Sequence, residues 1–254
     1  MYGRRGRIGL IVPSSNSTFE PEMRAMCPEG VEVYATRIAF TPDERGLRDM
    51  RQHVNRASLE LAAEGLCDII VFGCTVGSMI EGLGYDEKIC RDITAATGVP
   101  AIAATTAVIA ALQTLGVSII TVATPYTRRI NEIEQRALLS YGVQVVDIRG
   151  YHEDVADSDL TNKMIGDLEE EDAFAFAKSV DRKEAECLFI SCTNFRTIGI
   201  IGSLEQVLGK PVLSSNLCTA WLALKTLKLS YLRGEPRSRG FDSTLSRTLV
   251  SEQR

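Results

Sequence analysis

The chain has 254 residues, 45% hydrophobic and 24% charged, with a net charge of −5 at neutral pH. That length suffices for two domains of about 120 residues, each with its own core. The acidic balance speaks against nucleic acid as a partner, because phosphate recognition needs a basic face, and no apolar run approaches the ~18 residues of a membrane span. Seven cysteines without CxxC spacing fit a reducing cytoplasm better than a disulfide framework.

Short apolar runs alternate along the chain with longer amphipathic patterns. The first run, residues 8–12, follows Arg4, Arg5 and Arg7 and is closed by Pro13. It is too short for the apolar part of a leader and reads as a strand. Further strands are expected at 31–38, 69–73, 101–103, 119–123, 143–148, 188–191 and 212–214. Helices are expected over 47–64, 86–97, 104–115, 128–140, 169–180, 198–208 and 219–229. This alternation predicts an α/β fold with mostly parallel sheets and helices on both faces. Such sheets bind ligands at the carboxyl ends of their strands.

The chain also looks doubled. Gly6 to Pro13 (GRIGLIVP) is matched by Gly116 to Pro125 (GVSIITVATP), and Val99-Pro100-Ala101-Ile102-Ala103 is echoed by Lys210-Pro211-Val212-Leu213-Ser214. The same order at nearly constant spacing argues for two similar halves. We expect one lobe from residues 1–115 with 215–254, whose C-terminal helix packs back on it, and a second from 116–214.

Two segments carry the chemistry. Val71-Phe72-Gly73-Cys74-Thr75-Val76-Gly77-Ser78 and Phe189-Ile190-Ser191-Cys192-Thr193-Asn194-Phe195-Arg196 each run a strand into a cysteine and then into small polar residues. A thiol between a strand end and a helix start meets free backbone N–H groups and the helix dipole, which lower its pKa and collect anions. Cys74 and Cys192 are therefore the expected nucleophile, acid or base. Cys27, Cys67, Cys90, Cys187 and Cys218 lack that setting and read as structural. Within Ser14-Ser15-Asn16-Ser17-Thr18 the serines suit helix capping, whereas the Asn16 amide can address a carboxylate. Tyr126, in Thr124-Pro125-Tyr126-Thr127, is a phenol donor or a packing residue.

Other chemistries find little support. His53 and His152 have no ligand-spaced partner and are expected to face solvent. Gly82-Leu83-Gly84 lacks the third glycine and the strand of a dinucleotide loop. No metal and no organic cofactor is expected. Residues 151–171 read as a solvated connection or a lid. The arginine- and serine-rich tail, 233–254, reads as partly disordered or packed on a neighbouring subunit of a homo-oligomer.

Arg7 to Asn16 (RIGLIVPSSN), Glu20-Pro21-Glu22, the Gly73-Cys74 turn, the Thr124-Pro125-Tyr126 turn and the Ser191-Cys192 turn resemble the maleate cis-trans isomerase and arylmalonate decarboxylase group of the aspartate/glutamate racemase superfamily. The resemblance implies two pseudo-symmetric Rossmann-like domains with four-stranded sheets and a cofactor-free site between them. It implies Cys74 as nucleophile and Cys192 as acid and base toward a small carboxylate. Ser15, Asn16, Thr75, Tyr126, Asn162, Thr193 and Asn194 would bind that substrate. Decarboxylases of the group keep only the second cysteine, so Cys74 points to an isomerase. The polar Thr75-Val76-Gly77-Ser78 and Thr193-Asn194-Phe195-Arg196 turns are closer to amino-acid racemases. Racemase, decarboxylase and non-catalytic sensor stay open as alternatives.

Overall fold

The apolar runs become strands buried on both faces. Ile69–Phe72 (IIVF) and Cys187–Ile190 (CLFI) have every residue buried, the pattern of parallel strands covered by helices on each side. The computed structural model describes residues 2–230 and 242–251. In chain order the first half contains β1 (Gly6–Pro13), α1 (Phe19–Met26), β2 (Val31–Ile38), α2 (Glu44–Asp49), α3 (Arg51–Ala62), β3 (Ile69–Phe72), α4 (Thr75–Met79), α5 (Tyr85–Thr97), β4 (Ala101–Ala103) and α6 (Ala104–Leu115). The second contains β5 (Ile119–Thr124), α7 (Arg128–Ser140), β6 (Gln144–Gly150), α8 (Asn162–Gly166), α9 (Glu170–Val180), β7 (Cys187–Ile190), α10 (Ile201–Leu208), β8 (Val212–Ser214) and α11 (Ser215–Thr226), with α12 (Thr244–Ser251) beyond.

These strands form two four-stranded, all-parallel sheets of identical topology, β2-β1-β3-β4 and β6-β5-β7-β8. In each, the winding direction reverses at the central pair, β1/β3 and β5/β7. The crevice outside the carboxyl ends of such a pair is where a doubly wound sheet takes its ligand. Ile11 pairs with Phe72 and Ala123 with Ile190, so the turn after β1 lies beside Cys74 and the turn after β5 beside Cys192. Although α11 follows β8, it packs against α6 and α1. Trp221 on α11 is buried, and its indole N–H donates to Thr248 on α12 at 3.0 Å.

Several elements depart from expectation. α1 and α4 were not anticipated. The pattern over 47–64 is two helices, α2 and α3, which meet at Met50. The helix expected from 198 starts at Ile201, because Glu22 accepts from the N–H groups of Thr197 (2.7 Å) and Ile198 (3.2 Å) and holds that stretch as a turn. α11 starts earlier than expected, at Ser215, where the Ser214 hydroxyl caps it by accepting from Leu217 N–H at 3.2 Å. His152 is half-buried, with Nδ1 2.7 Å from the Pro125 carbonyl, rather than free in solvent. Of the tail, 233–241 and 252–254 lie outside the described residues; α12 packs on α11.

One polar bolt joins the halves. The Tyr141 hydroxyl, just past α7, donates to Asp86 on α5 and accepts from Gly84 N–H at 3.2 Å. Thr106 donates to the other Asp86 oxygen at 2.6 Å. Asp86 is buried, so each lost partner leaves a polar group unsatisfied. Tyr141→Phe should cost about 1–3 kcal/mol. Urea unfolding checks this, with the midpoint lowered and the slope unchanged.

Candidate active site

Cys74 follows β3 through Gly73 and opens α4. Glycine is required there: a Cβ on Gly73 would sit 2.3 Å from the Phe19 ring and 3.1 Å from the Ile11 carbonyl. Cys192 follows β7 through Ser191, but no helix begins after it. Instead Cys192 adopts φ = 107°, a left-handed backbone that a side chain rarely tolerates. Such strain persists only where the surroundings impose it, and it concentrates at functional sites. Here the constraint is visible: Cys192 N–H donates to Ser215 Oγ at 3.1 Å, and Asn194 N–H reaches back to the Cys192 sulfur at 3.3 Å.

A dense set of hydrogen bonds joins the two cysteine turns. Thr193 Oγ1 donates to the Gly73 carbonyl at 3.0 Å and accepts from Asn16 Nδ2 at 3.0 Å. Ser215 Oγ accepts both from Cys192 N–H and from Thr75 Oγ1, at 2.8 Å. Asn16 Oδ1 accepts from the N–H groups of Thr18 and Phe19 at 3.0 and 2.9 Å, so Asn16 itself supplies the α1 cap expected of the serines. Asn194 Oδ1 accepts from Ser17 N–H at 2.8 Å, and its Nδ2 donates to the Asn162 carbonyl and Oδ1 at 2.7 and 3.0 Å. Asn162 Nδ2 in turn reaches Ser15 Oγ at 3.1 Å.

Both thiols line one narrow cavity. Asn16, Asn162, Thr193 and Asn194 supply its polar wall, Tyr126 also lines it, and Phe40, Pro42, Leu47, Val76, Ile130 and Ile165 are apolar. Seven of the nine expected residues therefore meet at one place. Ser15 and Thr75 do not line it: the Thr75 hydroxyl is turned to Ser215, and Ser15 stands behind Asn162. The stretch expected as a solvated connection or a lid contributes Asn162 and Ile165 to the wall, and Leu160 and Leu168 beside them are buried. A roomier groove between α3 and α5, lined by Arg51, Asn55 and Asp92, shares no residue with this cavity and contains no thiol.

The electrostatics differ from the expectation of acidic thiols. Burial pushes Cys74 up to about 12, opposed by the Gly77 N–H. Burial also raises Cys192, to about 11, against three donors: the Tyr126 hydroxyl and the N–H groups of Asn194 and Phe195. Desolvation wins in both cases because, among the described residues, no Lys, Arg or His lines the cavity, and α4, at five residues, contributes a weak dipole.

Sequence reasoning missed Glu22, Glu134 and Ser215. Glu22 accepts from Asn216 Nδ2 at 2.6 Å besides the two N–H groups beyond Cys192, and burial still lifts it to about 7. Glu134 is fully buried on α7 and rises to about 7 through desolvation. Its signal was present, since it lies one turn from both Ile130 and Leu138 within the apolar stripe of that helix. Ser215 carried no signal beyond its place after a strand.

Two parallel sheets that each deliver one thiol to a shared cavity define the class: a pseudo-symmetric, two-cysteine α/β protein. The chain belongs to the arylmalonate decarboxylase family, whose model matches residues 8–238. The maleate isomerase of Nocardia farcinica is 31% identical over 234 residues, covering 88% of this chain and 90% of that protein. The maleate isomerase of Geobacillus stearothermophilus is 29% identical over 240 residues, covering 88% and 92%. Among solved structures, a cysteine-to-serine variant of the Nocardia farcinica maleate cis-trans isomerase with a covalently bound succinylcysteine intermediate superposes with a TM-score of 0.84. At 28% identity, that match covers 96% of this chain and 98% of the other.

Ser215→Ala tests the junction of the two turns. It leaves the Cys192 N–H and the Thr75 hydroxyl without their buried acceptor, and should cost about 1–3 kcal/mol in chemical denaturation. Ser215→Thr, which keeps the hydroxyl, should lose less.

Proposed function

We propose that the chain isomerises a small cis-dicarboxylate of the maleate type, without a cofactor, with Cys74 as nucleophile and Cys192 as acid and base. The observation that carries this reading is that both thiols line one cavity whose polar groups are neutral donors. The relatives named as maleate isomerases and the succinylcysteine held by one of them support the same chemistry.

The Cys74 thiolate adds to one alkene carbon, and the π electrons pass into the adjoining carboxylate as an enediolate. Cys192 delivers its proton to the neighbouring carbon, giving a succinyl thioether. Rotation about the new single bond, return of the proton to Cys192 and expulsion of the Cys74 sulfur release the trans diacid. Three donors, the Tyr126 hydroxyl and the N–H groups of Asn194 and Phe195, stabilise the thiolate that Cys192 becomes once it has given up its proton. Cys74 is taken as the nucleophile in keeping with the covalent succinylcysteine of the Nocardia farcinica relative. Asn16, Asn162, Tyr126 and backbone N–H groups are placed to receive the carboxylates and the charge that develops on them.

The amino-acid racemase reading is the weaker one because, among the described residues, no Asp or Glu lines the cavity to hold an ammonium group.

Replacing Cys74 or Cys192 by Ser should lower turnover of maleate by at least two orders of magnitude, while Cys90→Ala should leave it unchanged. In Cys192→Ser, mass spectrometry after quenching should find one succinyl group on the peptide containing Cys74. Exchange of an amino-acid α-hydrogen with solvent and no adduct would replace this reading with racemisation.

A further inference from the structure

The chain has two histidines, and the steps above use neither. His152 nonetheless stands against the turn that carries Tyr126. Three successive carbonyls of that turn meet three successive residues at the end of β6 and just past it. The Thr124 carbonyl accepts from Tyr151 N–H at 2.8 Å. The Pro125 carbonyl lies 2.7 Å from His152 Nδ1. The Tyr126 carbonyl packs over Gly150, where a Cβ would come within 2.0 Å of it. A carbonyl can only accept, so the His152 nitrogen that faces Pro125 carries the proton. The ring is held in turn: Tyr151 meets it edge-on with centroids 5.1 Å apart, and Tyr151 packs on Phe176 of α9 at 5.4 Å.

These contacts grip one peptide plane. The Pro125 carbonyl and the Tyr126 N–H belong to the same planar group. Its C=O is taken by His152, and its N–H donates to Thr124 Oγ1 at 3.1 Å, a hydroxyl that donates onward to the buried Asn131 at 2.6 Å. With both ends of the plane fixed, the side chain of Tyr126 leaves the backbone in one direction, toward the cavity that Cys192 also lines. There the Tyr126 hydroxyl donates to the Cys192 sulfur. Gly150 and Tyr151 hold the turn through backbone atoms, whereas His152 holds it through its side chain. A substitution at His152 therefore releases the plane and leaves the pairing of β5 with β6 in place.

We propose that His152 is a positioning residue: by holding the Pro125–Tyr126 peptide it keeps the Tyr126 hydroxyl on Cys192 and so stabilises the thiolate of that cysteine. His152 does not itself line the cavity, so it acts through Tyr126. Cys74 draws on a different donor, the Gly77 N–H, and the effect should fall on one sulfur alone. The part of His152 in turnover rests on the two-thiol chemistry proposed above.

Iodoacetamide alkylation of the full chain at pH 8 without substrate, followed peptide by peptide, tests this. In His152→Ala the rate at Cys192 should fall about threefold to tenfold, the worth of one hydrogen bond, while the rate at Cys74 stays unchanged. His152→Asn places an amide N–H where Nδ1 stands and should restore the Cys192 rate. In a Tyr126→Phe background, His152→Ala should slow Cys192 no further, because the hydroxyl that it positions is gone. An unchanged or faster Cys192 rate in His152→Ala would overturn the proposal, and so would equal slowing at both thiols. Slowing that persists in the Tyr126→Phe background, or that Asn does not relieve, would also overturn it. Because the assay contains no substrate, a failure to isomerise maleate would leave this result standing.

Discussion

The Thr193 hydroxyl is where the site is held together. It accepts from Asn16, at the end of β1, and donates to the Gly73 carbonyl, at the end of β3, while belonging to the turn after β7. Three strand ends from two sheets are thereby fixed against one another at a buried point. Ser215 repeats the arrangement from behind, joining the Cys192 backbone to Thr75. Neither turn could keep its geometry alone. Cys192 sits at φ = 107°, and α4 is a five-residue helix containing Gly77. A strained backbone and a marginal helix are held because each is anchored to the other half of the molecule.

That precision is obtained at the expense of charge stability. Glu22 and Glu134 are both buried and lifted to about 7 from 4.5. A carboxyl group whose folded value lies above its unfolded one favours folding while protonated. Its contribution is full below about 4.5, declines as pH rises, and is gone above about 7. Near neutral pH both groups are therefore partly ionised, and ionisation of either disfavours the folded state. Glu22 is retained because it fixes the turn beyond Cys192 through Thr197, Ile198 and Asn216. With no cation among the described residues that line the cavity, preorganised neutral donors are what remain to meet charge developing on a substrate, and burial strengthens each of them.

The sheets were legible because a parallel strand covered on both faces must be a continuous apolar run, and all eight runs formed where expected. The turns were legible as strand ends with reactive residues, which located Cys74, Cys192, Asn16 and Tyr126. What each polar side chain does was less legible, because hydrogen bonds between residues 120 to 177 positions apart follow from the packing of two lobes. Of the residues read as substrate donors, Thr193 and Asn194 line the cavity while also bonding to the protein, and Thr75 is turned to Ser215. α1 was hidden by Pro21 within its first turn, and α4 by its length. The thiol pKa values went the other way from expectation because burial outweighed the local donors, and burial is a property of the assembled cavity.

The central proposal is that two thiols in one cavity interconvert cis and trans diacids without a cofactor. Proton NMR of the wild-type protein with maleate in deuterated water, after exhaustive dialysis against a chelator, tests it most directly. The account predicts conversion of the maleate signal into that of the trans diacid, with no loss of carbon dioxide. Unchanged maleate, in a sample where a substituted malonate is decarboxylated or an acidic amino acid exchanges its α-hydrogen, would contradict it.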